Sequence, residues 1–225
     1  MKKIGIIGAM PSELVDIRAA LGEPKVENHA RYDFYINEFC GKKIINACCG
    51  IGKVNAALCA QNLIDNYDVD CIINAGIAGG MDVSVKVCDI VISKDVMFHD
   101  ILTRLLKEYT PFNGIFSASD ELIKKAQKAC SDNGINSFVG RIVSGEQFIS
   151  DTKIKAEIKK DFNPLAVDME SAGVGQCAFR NDVPFVTIRC ISDNADDEGE
   201  MSFDKFEKIA AKRVAEIVIE MIKEL

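Results

Sequence analysis

The amino-acid sequence predicts an α/β fold, a sheet with helices on both faces. Three observations predict it. Apolar, β-prone runs alternate with stretches of helical periodicity from one end of the chain to the other. The 225 residues suit one large α/β domain better than two small ones. No linker, internal repeat or low-complexity stretch divides them, so residues 1–225 are read as a single domain.

Residues 3–7 read as a first buried strand, and Gly8-Ala9-Met10 as a turn. Residues 11–21 then form a helix: Pro11 suits its first position, and Glu13 falls in the first turn, where a carboxylate favours the helix dipole. Taken alone, Glu13 reads as a solvated helix residue. Gly22 and Pro24 stop that helix. Residues 31–39 and 42–49 are a strand pair around Gly41, and Gly50-Ile51-Gly52 leads into a helix over 53–66. Residues 70–75 are a buried strand ending in Gly76-Ile77-Ala78-Gly79-Gly80, and 87–93 are the next strand. Residues 97–117 show no clean period. A helix over 120–133 has Ser119 as its cap. A strand over 138–143 ends in Ser144-Gly145-Glu146; a short helix (151–161) and a short strand (165–167) follow. Asp168-Met169-Glu170 starts a helix running to residue 179. The run Phe185 to Ile191 is a buried strand that stops at Ser192-Asp193-Asn194. An amphipathic helix from about residue 204 closes the chain.

Composition narrows the function. The formal charge is -7, with no basic run to track phosphates, which argues against a nucleic-acid partner. Most of the nine cysteines lie in apolar segments, where free Cys behaves as a small hydrophobe, and no C-x-x-C occurs; a reducing, cytoplasmic compartment is expected. With His29 and His99 the only histidines, no metal is expected. No apolar run is long enough for a membrane span, and Pro11-Ser12-Glu13 cuts short the apolar N-terminus.

Two glycine clusters fail as phosphate loops. Gly50-Ile51-Gly52-Lys53 lacks the earlier Gly and the following Ser or Thr of a triphosphate loop, those positions being Ala47 and Val54. Gly5-Ile6-Ile7-Gly8 lacks dinucleotide-fingerprint spacing.

Ligands of open α/β sheets sit at the carboxyl ends of strands. Ser192 beside Asp193 reads either as a turn or as a hydroxyl supporting a positioned acid. The other strand ends supply Met10 with Glu13, the glycine-rich 76–80 segment, Gln147-Phe148-Ile149, and Met169-Glu170. Together these resemble the nucleoside phosphorylase and nucleosidase superfamily, and more closely the 5'-methylthioadenosine/S-adenosylhomocysteine nucleosidases. The resemblance covers nearly the whole chain. It rests on the order and spacing of IGIIGAM with Glu13, GIGKVNAA, INAGIAGG, KVCDIVIS, IVSGEQFI, AVDMES and VPFVTIRCISDNAD.

The resemblance implies a nucleoside phosphorylase-like fold with a central mixed, twisted sheet. It implies a homodimer that acts on adenine nucleosides without a cofactor. The reaction would be hydrolysis of the N-glycosidic bond of methylthioadenosine, S-adenosylhomocysteine and 5'-deoxyadenosine. Asp193 would protonate the purine at nitrogen 7, with Ser192 orienting it. Glu13 would activate water, and Glu170 would hold the ribose hydroxyls, with Arg189 supporting the carboxylates. Met169 would lie against the sugar, Phe148 would stack on adenine and the Ile149 backbone would bond its edge. Met10 and Phe203 would line the sugar and 5' side, and Ile77, Ala78 and Gly79 would border the substrate. Phosphorylases of the superfamily carry Arg at Asn74 and near residues 10–12; Glu13 suits water better than phosphate. Ile77 replaces the usual Ser, and the segment after His99-Asp100 lacks the usual aromatic 5' loop. These departures leave the 5' substituent open; the alternatives are a futalosine-type nucleosidase and a purine nucleoside phosphorylase, with a non-catalytic nucleoside-binding protein outside enzymes.

Overall fold

The computed structural model describes residues 1–195 and 199–225, including every side chain except those of 199–204. Within them one mixed sheet is flanked by helices. The strands are β1 (Lys3–Gly8), β2 (Lys25–His29), β3 (Tyr32–Phe39), β4 (Lys42–Cys48), β5 (Cys71–Gly80), β6 (Ile90–Phe98), β7 (Phe116–Ser117), β8 (Ser137–Ser144), β9 (Ala166–Asp168) and β10 (Phe185–Asp193). The helices are α1 (Pro11–Leu21), α2 (Lys53–Tyr67), α3 (Thr103–Glu108), α4 (Asp120–Asp132), α5 (Thr152–Phe162), α6 (Ser171–Arg180) and α7 (Gly199–Glu224). Helices α1 and α4 pack on α7, and α2 packs on α6, which gives the sheet its two helical layers.

The isoleucine-rich strands make the centre. β1 runs parallel to β4 and β5, with Ile4 opposite Ile44 and Cys71, and all three side chains are buried. Strands buried on both faces read as continuous apolar runs, and these do. Leu14 and Ile17 of α1, with Leu63 of α2, are fully buried with them.

β5 organises the site. Its first half pairs with β1, from Cys71 to Asn74, whereas its last residues, Gly79 and Gly80, pair antiparallel with β9. Its other edge pairs with β10 throughout, Phe185 opposite Ile72 and Asp193 opposite Gly79. β10 also pairs with β6, which pairs with β8, which pairs with β9. The strands β5, β10, β6, β8 and β9 therefore close a circuit, while β1, β4, β3 and β2 extend the open side. Between Asn74 and Gly79 the edge of β5 has left β1 and has not yet met β9.

The structure corrects several expected boundaries. The glycine-rich segment 76–80 is strand, because β10 and then β9 supply its ladder partners. Ser192 and Asp193 likewise continue β10, with a register irregularity between Ile191 and Asp193. Such a bulge re-aims side chains. β6 lies three to five residues later than expected, at Ile90–Phe98, and the unassigned 97–117 stretch contains α3 and β7. The strand β2 was not expected. Helix α6 begins at Ser171 with Glu170 as its N-cap. Ser119 holds the N-cap position of α4 but makes no side-chain cap bond, whereas Asp151 caps α5 by accepting from Lys153 and Ile154.

Candidate active site

The strand ends enclose a crevice of about 510 Å³, open mouth included. Met10 and Glu13 reach it from the β1–α1 turn, Ile77, Ala78 and Gly79 from β5, and Ser192 and Asp193 from β10. Met169 and Glu170 enter between β9 and α6, and Phe148 stands half-exposed at the mouth. Plain strand alternation would point Ser192 and Asp193 to opposite faces; with the irregularity in β10, both line the crevice. Ile149 is buried in an adjoining recess shared with Phe148, Gly79 and Asp193. Arg189 lies behind the crevice, fully buried. The Phe203 side chain lies outside the described residues.

Glu13 is buried, contrary to the solvated reading of its position. It is the third residue of α1, and its Oε2 accepts from the N–H groups of Ala9 (2.6 Å) and Met10 (2.9 Å). That is half of a capping box turned inward. Its Oε1 accepts from the Ile77 N–H at 2.9 Å and lies 4.0 Å from Arg189 Nη1. Burial raises its pKa; Arg189 and the three N–H donors only partly oppose this. Arg18, the nearest sequence arginine, bonds Asn46 instead and lies over the Tyr35 ring.

Arg189 is held by a polar hub. Its Nε donates to Asp168 Oδ2 at 2.8 Å and Nη2 lies 2.7 Å from the same oxygen, while Nη2 donates to Asn74 Oδ1 at 2.9 Å and lies 3.5 Å from Glu170 Oε2. Asp168 accepts from Ser144 Oγ at 2.5 Å and from Ser171 Oγ. Burial works against the guanidinium charge, but Asp168, Glu170 and Glu13 outweigh it and hold the pKa above its ordinary value. Its Nη1 has no hydrogen-bond partner and is buried. A Cβ on Gly76, the β5 residue opposite Arg189, would collide with both Nη1 and Glu13 Oε1. Only glycine lets these two groups approach.

Glu170 accepts the Gly52 N–H on Oε1 at 2.9 Å. Burial raises its pKa, Arg189 opposing and Asp168 reinforcing the shift. Asp193 accepts Ser192 Oγ on Oδ2 at 2.8 Å and the Ala195 N–H on Oδ1 at 2.7 Å, while Ser192 Oγ also reaches the Ala78 carbonyl at 3.4 Å. Glu13, Asp168, Glu170 and Asp193 thus bring four buried carboxylates to the crevice, and Arg189 is the one buried cation among the described residues. Such a site favours developing positive charge and can trade protons at two ends of a ligand. Among the described residues, no group of three or more His, Cys, Asp and Glu side chains could hold a metal ion.

Sequence reasoning missed Asp168, Ile51 and Gly52. Asp168 carried a signal: an acid two residues before Glu170 at a strand end. Ile51 carried another, as an apolar residue between two glycines with no core to join; it is 54% exposed and lines the crevice. Gly52 carried none, since its part is played by a backbone N–H.

Comparison with known proteins places this geometry. A model of the phosphorylase superfamily matches residues 3–223. The chain is 38% identical over 229 residues to a 5'-methylthioadenosine/S-adenosylhomocysteine nucleosidase of Bacillus subtilis (strain 168), covering 99% of each chain. A Staphylococcus aureus (strain JH9) protein of the same name is 37% identical over 227 residues, covering 99% of this chain and all of its own. Among solved structures, the Neisseria meningitidis nucleosidase of that name, in complex with methylthio-immucillin-A, superposes over the whole of both chains with a TM-score of 0.95 and 36% identity. Futalosine hydrolase of Helicobacter pylori strain 26695 superposes with a TM-score of 0.94 and 30% identity, over all of this chain and 98% of its own.

Proposed function

The chain belongs to the phosphorylase superfamily, and from that membership we propose that it is a nucleosidase. It hydrolyses the N-glycosidic bond of 5'-methylthioadenosine and S-adenosylhomocysteine, and of 5'-deoxyadenosine, releasing adenine. Residues 1–225 act as one nucleosidase domain.

The observation that carries the reading is the excess of buried carboxylate over buried cation at the crevice. Breaking the glycosidic bond leaves positive charge on the ribose and negative charge on the departing purine. Glu170, held by the Gly52 N–H, faces the ribose hydroxyls and favours the oxocarbenium-like charge. Asp193, steadied by Ser192 and Ala195, enters the step as the carboxylic acid, gives its proton to purine nitrogen 7 and is left as the carboxylate. Glu13 takes a proton from the attacking water, and its raised pKa suits a base that works nearer neutrality. Acid and base on opposite sides of the scissile bond are the requirement of glycoside hydrolysis. Met169 lies against the sugar, Met10, Ile51 and Ile77 make an apolar wall for the 5' group, and Phe148 stacks on the base.

The same charge balance favours hydrolysis over phosphorolysis. Phosphate would meet Glu13 where it needs donors, and Asn74 offers an amide already engaged with Ile7 and Arg189. A futalosine-type substrate is the second reading, since the Helicobacter futalosine hydrolase shares this fold as fully as a nucleosidase does.

The reading extends to a homodimer, supported by exposed Leu102, Leu105, Tyr109 and Phe112 in one stretch after His99. It extends also to a cytoplasmic setting, consistent with nine free cysteines, and to methionine salvage as its use. The test is adenine release from methylthioadenosine with and without phosphate. Free 5-methylthioribose formed without phosphate is expected; a 1-phosphate product formed only with phosphate would overturn it.

A further inference from the structure

Three loops meet beside the crevice, and one cluster of charges joins them. They precede α2 (residues 49–52), follow β6 (99–102) and follow β8 (145–151). Asp100 accepts Lys53 Nζ on both carboxylate oxygens, each at 2.6 Å, and accepts the Glu146 N–H at 3.0 Å. Glu146 reciprocates: its Oε1 accepts the Lys53 backbone N–H at 3.1 Å and lies 3.9 Å from Nζ. The His99 N–H donates to the Ser144 carbonyl at 3.0 Å, bringing the second loop against the third.

The N–H groups of the α2 N-cap and of its first residue end on carboxylates from two different segments: Gly52 on Glu170 and Lys53 on Glu146. The first N–H groups of a helix have no partner within it, so they are free to make such ties. Gly52 has φ +104°, and a Cβ there would lie 2.9 Å from Glu146 Oε2, so the approach depends on glycine. Phe148 lies two residues beyond Glu146, and Ile51 immediately precedes Gly52.

Lys53, Asp100 and Glu146 do not line the crevice. An isolated surface ion pair contributes little. This pair is different: the side chains of Lys53 and Asp100 are 19% and 29% exposed, and Asp100 takes a backbone bond as well. Lys53 Nζ also lies 5.3 Å from the centre of the Phe98 ring.

We propose that Lys53, Asp100 and Glu146 form a clasp that positions Phe148 and Glu170 together. The clasp sets the spacing between the ring that holds the base and the carboxylate that holds the sugar. The three are positioning residues, acting through the loops they join. The inference rests on the nucleosidase reading of the crevice.

The test is a double-mutant cycle of Lys53→Met and Asp100→Asn, with Lys53→Arg as the conservative variant. Adenine release, melting temperature and adenine affinity by calorimetry are recorded for each. Either single change is expected to lower kcat/KM about 10²-fold through both a lower kcat and a higher KM, the scale of a small misplacement in an active site. The double variant should be no worse than the poorer single, and Lys53→Arg should recover most of the loss. Losses that add, or that simply follow melting temperature, would overturn the clasp, as would singles that match the unaltered protein. Glu146→Ala, which removes the acceptor of the Lys53 N–H at a half-exposed position, provides a well-folded variant in which adenine affinity should fall; unchanged affinity would also count against the clasp. The calorimetry needs no turnover. If the unaltered protein released no adenine without phosphate, the nucleosidase reading would fail while the affinity arm still decided the clasp.

Discussion

The backbone N–H of Ile77 donates to Glu13 Oε1 at 2.9 Å, so a side chain of α1 closes the gap in the edge of β5 where no strand does. The carboxylate replaces a ladder partner and faces the crevice at once. Its fixed position follows from three N–H donors on two segments that are distant in sequence.

Glu13→Gln should therefore separate binding from chemistry. Loss of the base should lower kcat about 10²–10⁴-fold. Adenine affinity should be unchanged, because Phe148 and Asp193 are untouched. Stopped-flow adenine release and calorimetry check the two halves, and a variant that keeps its rate would remove Glu13 from the mechanism.

Gly76→Ala should damage both stability and activity. The added Cβ meets Arg189 Nη1 and Glu13 Oε1, neither of which has room to retreat. Overpacking of this kind costs about 1–3 kcal/mol, measurable by urea unfolding. Gly114→Ala is the control: its Cβ would find its nearest neighbour at 3.6 Å and should be tolerated.

Arg189→Met should be severe, costing about 3–5 kcal/mol, because Asp168, Glu170 and Glu13 would lose the cation they share. Arg189→Lys should not restore function, since one ammonium cannot reproduce the Nε and Nη2 contacts to Asp168 together with Nη2 to Asn74. Chemical denaturation and kcat/KM measure these effects. Rescue by Lys would mean that charge alone matters at this position.

The pH dependence carries two opposite signs. Burial raises the pKa of Glu13 and Glu170. A base must be ionised, so kcat/KM should fall as pH drops through the raised values, above the ~4.3 of a free Glu. For stability, a carboxyl whose folded pKa is raised contributes stability that is full below its unfolded pKa and is lost as pH rises through the folded one. The ligand-free protein should melt at lower temperature as pH climbs through that window, and Glu170→Gln should flatten the decline. An acid limb at the free-Glu value, or a melting temperature that rises across the window, would contradict the raised values.

The parts of this fold fixed by local pattern were legible in the sequence. The apolar runs gave β1, β4 and β10, Pro11 marked the start of α1, and the motif order brought Glu13, Glu170 and Asp193 into one reading. What escaped depends on long-range partners. Gly76 to Gly80 has little β propensity, and only pairing with β10 and β9 keeps it extended. Ser192 and Asp193 resemble a turn until their partners on β5 are known. KVENH has no apolar alternation, because β2 pairs on one side only and is largely exposed. Glu13 looked solvated because helix position says nothing of the β5 edge that covers it. Asp168 went unassigned because, beyond the neighbouring Ser171, the partners that tie it into the site, Ser144 and Arg189, lie 24 and 21 residues away.

The closed circuit of five strands also bears on how the molecule limits strand-to-strand pairing between copies. A strand from another copy can extend a sheet only along an unpaired edge, and closure removes the edges on that side. Among the described residues the long edge left is β2, on the far side of β3. There Pro24, which has no N–H to offer, precedes Lys25, Glu27 and His29, and Lys25 Nζ pairs with Glu27 at 2.7 Å. An incoming strand would meet alternating charge in place of an apolar rail. The polarity that hid β2 from a sequence reading therefore guards the sheet against fibre-like stacking.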